Sequence, residues 1–210
     1  MRILVADDHN ALRCGLIQIL REGHPRAEFG EAASTAETLE LLSSQAWDLL
    51  ILDIFMPGRG GLEVLQHVQD NYPDLPVLVL SSAPEEQLAI RVLKAGASGY
   101  LNKRAAPEEL VQAVNRLLQG GRYVTTATAE RLAAAVGRPD RELHETLSNR
   151  EFQVVQLLLD GKSLKEIAAE LSLSVKTVSV FHTRIWEKLQ VQNDVELVHY
   201  ALEHGLRRRE

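Results

Sequence analysis

Two hydrophobic patterns divide this chain. Up to about residue 120, short apolar runs alternate with segments in which apolar residues recur every three or four positions. The runs are typical of buried strands and the segments of amphipathic helices, so the sequence predicts a doubly wound α/β domain with a five-stranded parallel sheet. The predicted strands cover residues 3–6, 27–32, 49–52, 77–80 and 99–101. A fifth helix is predicted over residues 108–118, before a pair of glycines.

From residue 147 onward the hydrophobic pattern is only helical. Ser148, Ser163 and Asn193 are each followed three residues later by a glutamate, which is the signature of a capping box at a helix start. Ser174 is a further candidate cap. We therefore predict four short helices, with the middle pair joined as a helix-turn-helix.

The charge is distributed unevenly over the sections that these patterns define. We predict a first domain over residues 1–120, a linker over 121–143 and an all-α four-helix domain over 144–210, and these carry net charges of −6, +1 and −1. If the helical domain binds nucleic acid, its positive charge must be concentrated locally, because its total is not basic.

The composition is that of a globular protein, with 45% hydrophobic and 25% charged residues. The longest early apolar run stops at Asp7, so we expect neither a signal peptide nor a membrane span, and residence in the cytoplasm without a membrane partner. The single cysteine, Cys14, has no companion for a disulfide or a thiolate zinc site. We expect it to be a small buried hydrophobe.

Polar and charged side chains follow four of the predicted strands. Asp7 and Asp8 follow the first strand, Asp53 the third, Ser81 the fourth and Lys103 the fifth. Because the carboxyl ends of parallel strands lie at one edge of a sheet, these side chains are expected to converge. Clustered carboxylates need a compensating cation, and Mg²⁺ binds a few carboxylates together with phosphate oxygens. The sequence therefore predicts a magnesium site at which Asp53 is the nucleophile of a phosphoryl transfer.

Plainer interpretations compete with this site. A single aspartate after a strand is most often a turn residue or a helix cap, and a single lysine there is normally solvated. Only their combination on four strand ends favours phosphoryl chemistry. A phosphatase or phosphotransferase with an aspartate nucleophile is a second hypothesis, but it would need a general acid two residues after Asp53, where the sequence has Phe55.

The stretches ILVADDHNALRCGL, DLLILDIFMPGRGGLEVL, VLVLSS and GASGYLNKRAAPEEL resemble the receiver domain of two-component response regulators. The resemblance covers nearly all of residues 1–120 and implies a flavodoxin-like fold that catalyses only its own phosphorylation and dephosphorylation. Ser82 and Arg104 depart from the residues most usual at their positions. The residues that the resemblance implies are Asp53 as phospho-acceptor, Asp7, Asp8, Asp53 and the backbone carbonyl of Phe55 as Mg²⁺ ligands, Lys103 and Ser81 as phosphoryl contacts, and Tyr100 as a switch aromatic. The alternative for Tyr100 is a plain aromatic of the core.

The third helix of the helical domain has the spacing of a recognition helix. Val178, Ile185 and Leu189, with Phe181 or His182, recur at helical spacing and are expected to face inward. The other side carries the candidates for DNA contact, namely Lys176 and Lys188 for phosphates, Ser179 and Thr183 for bases or phosphates, and Val180 for an apolar contact. On composition alone, a small helical protein-interaction module is an equal alternative.

The stretch LSNREFQVVQLLLDGKSLKEIAAELSLSVKTVSVFHTRIWEKLQVQNDVELVHYAL resembles LuxR-type helix-turn-helix domains, and Thr177, on the framework of that family, joins the DNA-binding candidates. A receiver followed by such a domain resembles the NarL/FixJ class of response regulators. The resemblance implies a transcription regulator that is phosphorylated on Asp53 by a sensor histidine kinase and binds double-stranded DNA as a homodimer. The alternative is a phosphorylation-independent DNA-binding regulator whose receiver serves only for dimerisation.

The last predicted helix covers residues 194–205. It places Val195, Val198, Ala201 and Leu202 on one stripe, which either pairs two DNA-binding domains, as in relatives, or packs inside its own domain. The arginines at 207–209 are expected to be solvated, with phosphate contact as the alternative.

Overall fold

The structure is a computed structural model that describes residues 1–56, 60–82, 85–126, 128–130, 143–171, 173–204 and 206. Backbone contacts divide the chain into two compact units, Met1–Arg131 and Leu132–Glu210. The centre of the predicted linker and the arginines at 207–209 lie outside the described residues. Across the described part of the chain, no helix is long and apolar enough to cross a membrane.

The first unit is built on a parallel sheet of five strands. The strands are β1 (Arg2–Ala6), β2 (Glu28–Ala32), β3 (Leu49–Asp53), β4 (Val77–Ser81) and β5 (Gly99–Asn102). Their order across the sheet is β2-β1-β3-β4-β5, and every neighbouring pair is parallel. The predicted doubly wound fold is confirmed. All residues of β3 and β4 are buried, which explains why their sequences are continuous apolar runs rather than alternating ones.

Five helices of the first unit alternate with the strands. They are α1 (Asn10–Gly23), α2 (Thr35–Ser44), α3 (Gly61–Asn71), α4 (Glu85–Lys94) and α5 (Pro107–Leu118). Helix α5 begins one residue earlier than predicted, at Pro107, because proline has no backbone N–H to satisfy in a first turn. Apolar residues of α1 and α5 pack on one face of the sheet, against β1 and β3 among others.

Cys14 contradicts the sequence-based expectation. It lies on α1 and is exposed rather than buried, and its thiol is 3.8 Å from Asn10 Oδ1. The reason is the helical period: Leu16, Ile17 and Leu20 form the buried side of α1, and Cys14 falls on the opposite side.

The chain after α5 stays attached to the first unit for at least ten residues. The N–H of Tyr100 in β5 donates to the carbonyl of Tyr123 at 3.2 Å, and the N–H of Tyr123 donates to the carbonyl of Ser98 at 3.1 Å. The hydroxyls of Thr125 and Thr128 donate to Glu85 Oε1, the first residue of α4, at 2.6 and 2.5 Å. The start of the predicted linker is therefore held by β5 and by α4.

The second unit is helical. A short 3₁₀ helix, Leu143–Thr146, precedes α6 (Asn149–Leu159), α7 (Leu164–Glu170), α8 (Val175–Leu189) and α9 (Asp194–Glu203), which confirms the four predicted helices. The capping boxes of Ser148 and Ser163 are both present, and the side chain of Ser174 caps α8. At Asn193 the cap is present, but the glutamate accepts from the N–H of Gln192 instead of closing the box.

Candidate functional site

The carboxyl ends of β1, β3, β4 and β5 bring the predicted pocket residues to one edge of the sheet. Asp7 follows β1, Asp53 ends β3 and Lys103 follows β5. The Lys103 ammonium lies 2.7 Å from Asp53 Oδ2 and 2.7 Å from Asp7 Oδ2. These three side chains come from positions far apart in the sequence, and the fold makes them direct neighbours.

Each buried carboxylate has its second oxygen fixed by the backbone. Asp53 Oδ1 accepts from the N–H of Phe55 at 2.9 Å, and Asp7 Oδ1 accepts from the N–H of His9 at 2.8 Å. Each turn after a strand thus folds back on its own aspartate, which limits the rotation of both carboxylates. Gly61 permits this compactness, because a Cβ at its position would lie 2.2 Å from the Asp53 carbonyl oxygen.

The electrostatics of the pair follow from its burial. Asp7 and Asp53 are only 1% and 2% exposed. Burial raises the pKa of Asp53, and the neighbouring Lys103 opposes that rise in part. For Lys103, burial alone would lower the pKa, but the attraction of Asp53 and Asp7 outweighs burial and raises it. The lysine therefore stays a cation, and it offsets part of the acidic charge.

The acidic edge has the donors of a divalent cation site. One ligand atom from each of Asp7, Asp8, His9 and Asp53 lies within 4.8 Å of the others. Carboxylate oxygens are the ligands that Mg²⁺ prefers, so this donor set is compatible with Mg²⁺. His9 was not predicted from the sequence. Its only signal was its position directly after the aspartate pair, and its Nδ1 lies 2.9 Å from Asp8 Oδ1.

Ser81 and Tyr100 are both buried and lie on the neighbouring strands β4 and β5. Ser81 ends β4 and is fully buried, and its carbonyl accepts from the N–H of Lys103 at 2.9 Å. The Tyr100 side chain in β5 is 1% exposed, so its ring lies inside the unit. Phe55 is two residues beyond Asp53, in the turn that folds back on that carboxylate.

The helix predicted to be the recognition helix is α8 of the second unit. Val178, Ile185 and Leu189 are buried, as the helical spacing predicts. The face turned to solvent carries Lys176, Ser179, Val180 and Thr183. Thr177 is half-buried, and its hydroxyl is 2.7 Å from that of the capping Ser174, so it is engaged in the helix start.

Lys188 differs from the other predicted DNA contacts. Its ammonium is 2.6 Å from Glu151 Oε2 and 3.3 Å from the carbonyl oxygen of Thr146. Glu151 is almost fully buried, and its pairing ties α8 to the start of α6. Arg184, which was not among the predicted contacts, is exposed and follows Val180 by one helical turn. Its signal in the sequence was its i+4 spacing from Val180 and its i+8 spacing from Lys176.

We expect Lys188→Met to lower the free energy of unfolding of the second unit by about 2 kcal/mol at neutral pH, because the variant leaves Glu151 buried without its cation. Burial alone would raise the pKa of Glu151, but Lys188 and Ser148 together hold it below its ordinary range. The Lys188–Glu151 ion pair therefore makes its full contribution to stability above the pH range in which the carboxyl of the unfolded chain titrates. That contribution is lost as the pH falls through the lowered pKa of Glu151 in the folded protein.

Urea unfolding at neutral and acid pH measures this effect. Lys162→Met is a matched control, because Lys162 forms a more exposed ion pair with Glu170, and such pairs contribute under about 1 kcal/mol. A Lys188→Met cost no larger than that of Lys162→Met, or a cost that persists in acid, would contradict the interpretation.

Only part of the apolar stripe predicted on α9 is buried inside the second unit. Leu197 and Ala201 are the buried residues, whereas Val195 is 68% exposed. Val198 and Leu202 are half-buried at the border. The packing side of α9 is therefore rotated from the predicted stripe, and Val195 belongs to the outer surface, where it leaves an apolar group in solvent.

Comparison with known families agrees with this two-part architecture. Residues 3–115 match the response regulator receiver domain family, and residues 145–201 match the luxR family of bacterial regulatory proteins. The response regulator UvrY of Escherichia coli and the response regulator GacA of Pseudomonas aeruginosa are each 34% identical to this chain over 208 residues. These matches cover 98% of this chain, 95% of UvrY and 97% of GacA.

Solved structures of RcsB from Salmonella enterica serovar Typhimurium are similar over almost the whole chain. The complex with the promoter P1flhDC, in the presence of the phosphomimetic BeF3⁻, has 28% identity and a TM-score of 0.68, and the match covers 97% of this chain and 98% of that one. The complex with the promoter rprA also has 28% identity, with a TM-score of 0.64, and covers 95% and 97%.

Proposed function

This chain belongs to the response regulators that join a receiver domain to a LuxR-type DNA-binding domain, and on that premise we propose that phosphorylation of Asp53 controls how tightly its second unit binds DNA. We assign the receiver to residues 1–120, the connector to 121–143 and DNA binding to 144–210. The family matches, at residues 3–115 and 145–201, support these limits.

The observation that carries the proposal is the contact of Lys103 with both Asp53 and Asp7 at the edge of the sheet. A carboxylate oxygen of Asp53 attacks the phosphorus of the donor, and the bond from phosphorus to the leaving group breaks with its electron pair going to that group. Lys103 offsets the charge on the phosphoryl oxygens, and the hydroxyl of Ser81 donates to one of them.

The acidic side chains give this edge the means to hold Mg²⁺. Asp7, Asp8 and Asp53, with the backbone carbonyl of Phe55, would bind the ion, which supplies charge neutralisation for the transferring group. The oxygens contributed by this chain are few, and that leaves coordination positions for phosphate oxygens and water. We propose a sensor histidine kinase as the phosphoryl donor, because the receiver domain implies such a partner.

The second unit binds double-stranded DNA through α8 in the major groove. Lys176 and Arg184 contact phosphates, whereas Ser179, Val180 and Thr183 face base edges. We do not retain Lys188 as a phosphate contact, because its ammonium neutralises Glu151. Solved structures of RcsB include two dimers bound to two parallel DNAs, and a homodimer is the assembly that we propose for this chain on DNA.

The route from Asp53 to the DNA-binding unit starts at α4 and β5. Ser81 ends β4, and α4 begins at Glu85, whose carboxylate holds Thr125 and Thr128 of the connector. Tyr100 lies in β5, and its N–H holds the connector at Tyr123. A change at Ser81 or Tyr100 on phosphorylation therefore reaches the connector through two elements that already touch it.

The test is the affinity of the full-length protein for DNA with and without acetyl phosphate and Mg²⁺. We expect phosphorylation to tighten binding by about tenfold, a coupling of about 1.4 kcal/mol. The Asp53→Asn variant provides the control, because it should bind equally with and without the donor. Equal affinity of the wild-type protein in both conditions, despite complete phosphorylation, would favour the phosphorylation-independent regulator whose receiver only dimerises.

A further inference from the structure

Arg13 on α1 is a buried cation next to the acidic edge. The residue is only 9% exposed, although arginine is among the residue types that are rarely buried without partners. All three of its nitrogen positions donate hydrogen bonds: Nη1 to the carbonyl oxygen of Asp7 at 2.7 Å, Nη2 to Asn10 Oδ1 at 2.9 Å and Nε to Glu31 Oε2 at 2.9 Å. None of these hydrogen bonds reaches the side chain of a residue that is proposed to contact the phosphoryl group. The role of Arg13 therefore differs from that of Lys103.

The three acceptors lie on three different segments around the turn that follows β1. Asp7 is the first residue after β1, Asn10 begins α1, and Glu31 lies near the end of β2. The N–H of Asp7 is itself held by the carbonyl of Ala32 at 3.0 Å. Arg13 therefore fastens the turn to the helix that follows it and to the neighbouring strand.

Only a guanidinium makes this set of contacts at once. Its donors lie in a rigid planar fork, which fixes the directions of the three bonds relative to one another, whereas a lysine ammonium on a flexible stem does not reproduce that geometry. The turn held in this way carries Asp7 and Asp8, two of the carboxylates of the acidic cluster. The direction of those carboxylates depends on the turn, because the backbone of the turn orients them.

We propose that Arg13 is a positioning residue of the phosphorylation site, which holds the turn after β1 so that Asp7 and Asp8 present their oxygens to a divalent cation. It rests on the proposed function, since it assumes that this edge binds Mg²⁺. Residues that orient metal ligands without contacting the ion commonly contribute a factor of about 10 to 100 to metal affinity. The effect of Arg13 falls on cation affinity, and not on the chemistry of a site that is already loaded.

The experiment measures Mg²⁺ binding to the full-length protein by calorimetry and Mn²⁺ binding by electron paramagnetic resonance, alongside labelling by acetyl phosphate. For Arg13→Ala we expect the Kd for both ions to rise by about tenfold. The labelling rate at saturating Mg²⁺ should stay within about twofold of the wild type, because the ion restores the direction of the carboxylates once it is bound. Glu31→Gln keeps an oxygen acceptor for Arg13, so we expect a smaller rise in Kd.

Arg2→Ala is the matched control. Arg2 Nε donates to Glu28 Oε2 at 2.9 Å, so it joins the same two strands, β1 and β2, at their opposite ends. Its loss should leave the Kd for Mg²⁺ and Mn²⁺ unchanged. Should Arg13→Ala fold poorly, Arg13→Lys and Glu31→Gln supply the same comparison with milder changes.

The outcomes separate this inference from the function on which it rests. An unchanged Kd in folded Arg13 variants, with only a lower thermal midpoint, would show that Arg13 is merely structural and would overturn the inference. A rise in Kd equal to that of Arg2→Ala would do the same. If the wild-type protein itself bound neither ion, the magnesium part of the proposed function would fail first, independently of Arg13.

Discussion

Asp53→Asn is expected to abolish incorporation of a phosphoryl group from acetyl phosphate, with a fall in rate of more than about 1,000-fold. The amide has nearly the shape of the carboxylate, and its oxygen still accepts from the N–H of Phe55, so the turn after β3 keeps its geometry. It lacks the negative charge that makes the carboxylate oxygen a nucleophile. The loss therefore reports on chemistry and not on folding.

The measurement is the mass of the intact full-length protein after incubation with acetyl phosphate and Mg²⁺. Asp48→Asn is the matched control, because Asp48 directly precedes β3 at its other end, is exposed and should leave labelling unchanged. Labelling of Asp53→Asn at the wild-type rate would remove Asp53 from the mechanism. Such a result would point to Asp7 or Asp8, the other carboxylates at the same edge of the sheet.

The second large effect is expected on DNA binding. Replacing Lys176 and Arg184 together by alanine should weaken binding by about 10- to 100-fold at low salt, because each subunit of the homodimer loses two phosphate contacts. The slope of log affinity against log salt concentration should become shallower by about 4, since the homodimer loses four such contacts and each contact releases about 0.9 counterion. Both residues are exposed on α8, so their removal should leave the fold of the second unit intact.

The salt dependence distinguishes a phosphate contact from a structural role. Lys188→Met is the comparison, because its ammonium is bound to Glu151 inside the second unit. We expect it to lower stability without changing the salt slope, when affinities are compared at a temperature at which both proteins are folded. A shallower slope in Lys188→Met, together with an unchanged slope in the double variant, would reverse the assignment of these cations.

The predicted fold rested on local patterns, and most of it is confirmed. The strands were recognised as short, mostly apolar segments of three to six residues, and the helix starts of the second unit as a serine or asparagine followed three residues later by a glutamate. The residues that form each signal lie close together in the chain, so the signals can be recognised from the sequence alone. The prediction for Cys14 was wrong for a related reason. The residue type suggested burial, but the direction of a side chain on α1 depends on where the helix meets the sheet.

The sequence predicted which residues lie at the sheet edge, but not which of their atoms contact one another. The convergence of strand ends follows from the parallel topology, which the sequence indicates, and so Asp53 and Lys103 were identified although 50 residues separate them. The function of Arg13 left no recognisable pattern, because its acceptors are a carbonyl, an amide and a carboxylate on three segments. The ion pair of Lys188 with Glu151 was not predicted either, because the two residues are 37 positions apart and Glu151 was recognised only as part of a helix cap.

By itself, the sequence of this protein determined its two-part architecture, the approximate positions of its strands, the starts of the helices in its second unit, and the acids, lysine and serine that follow or end the strands of the sheet. These features depend on hydrophobic periodicity, on helix caps and on the order of the strands along the chain, all of which can be recognised in the sequence. Only the tertiary structure decided which cation neutralises which acid, which side of α9 is buried, and that the connector is held by Glu85. Such pairings depend on distances of a few ångströms between segments that are remote in the chain. A change of a few ångströms in the distance between two charged groups decides whether a lysine forms an internal ion pair or stays available to contact DNA.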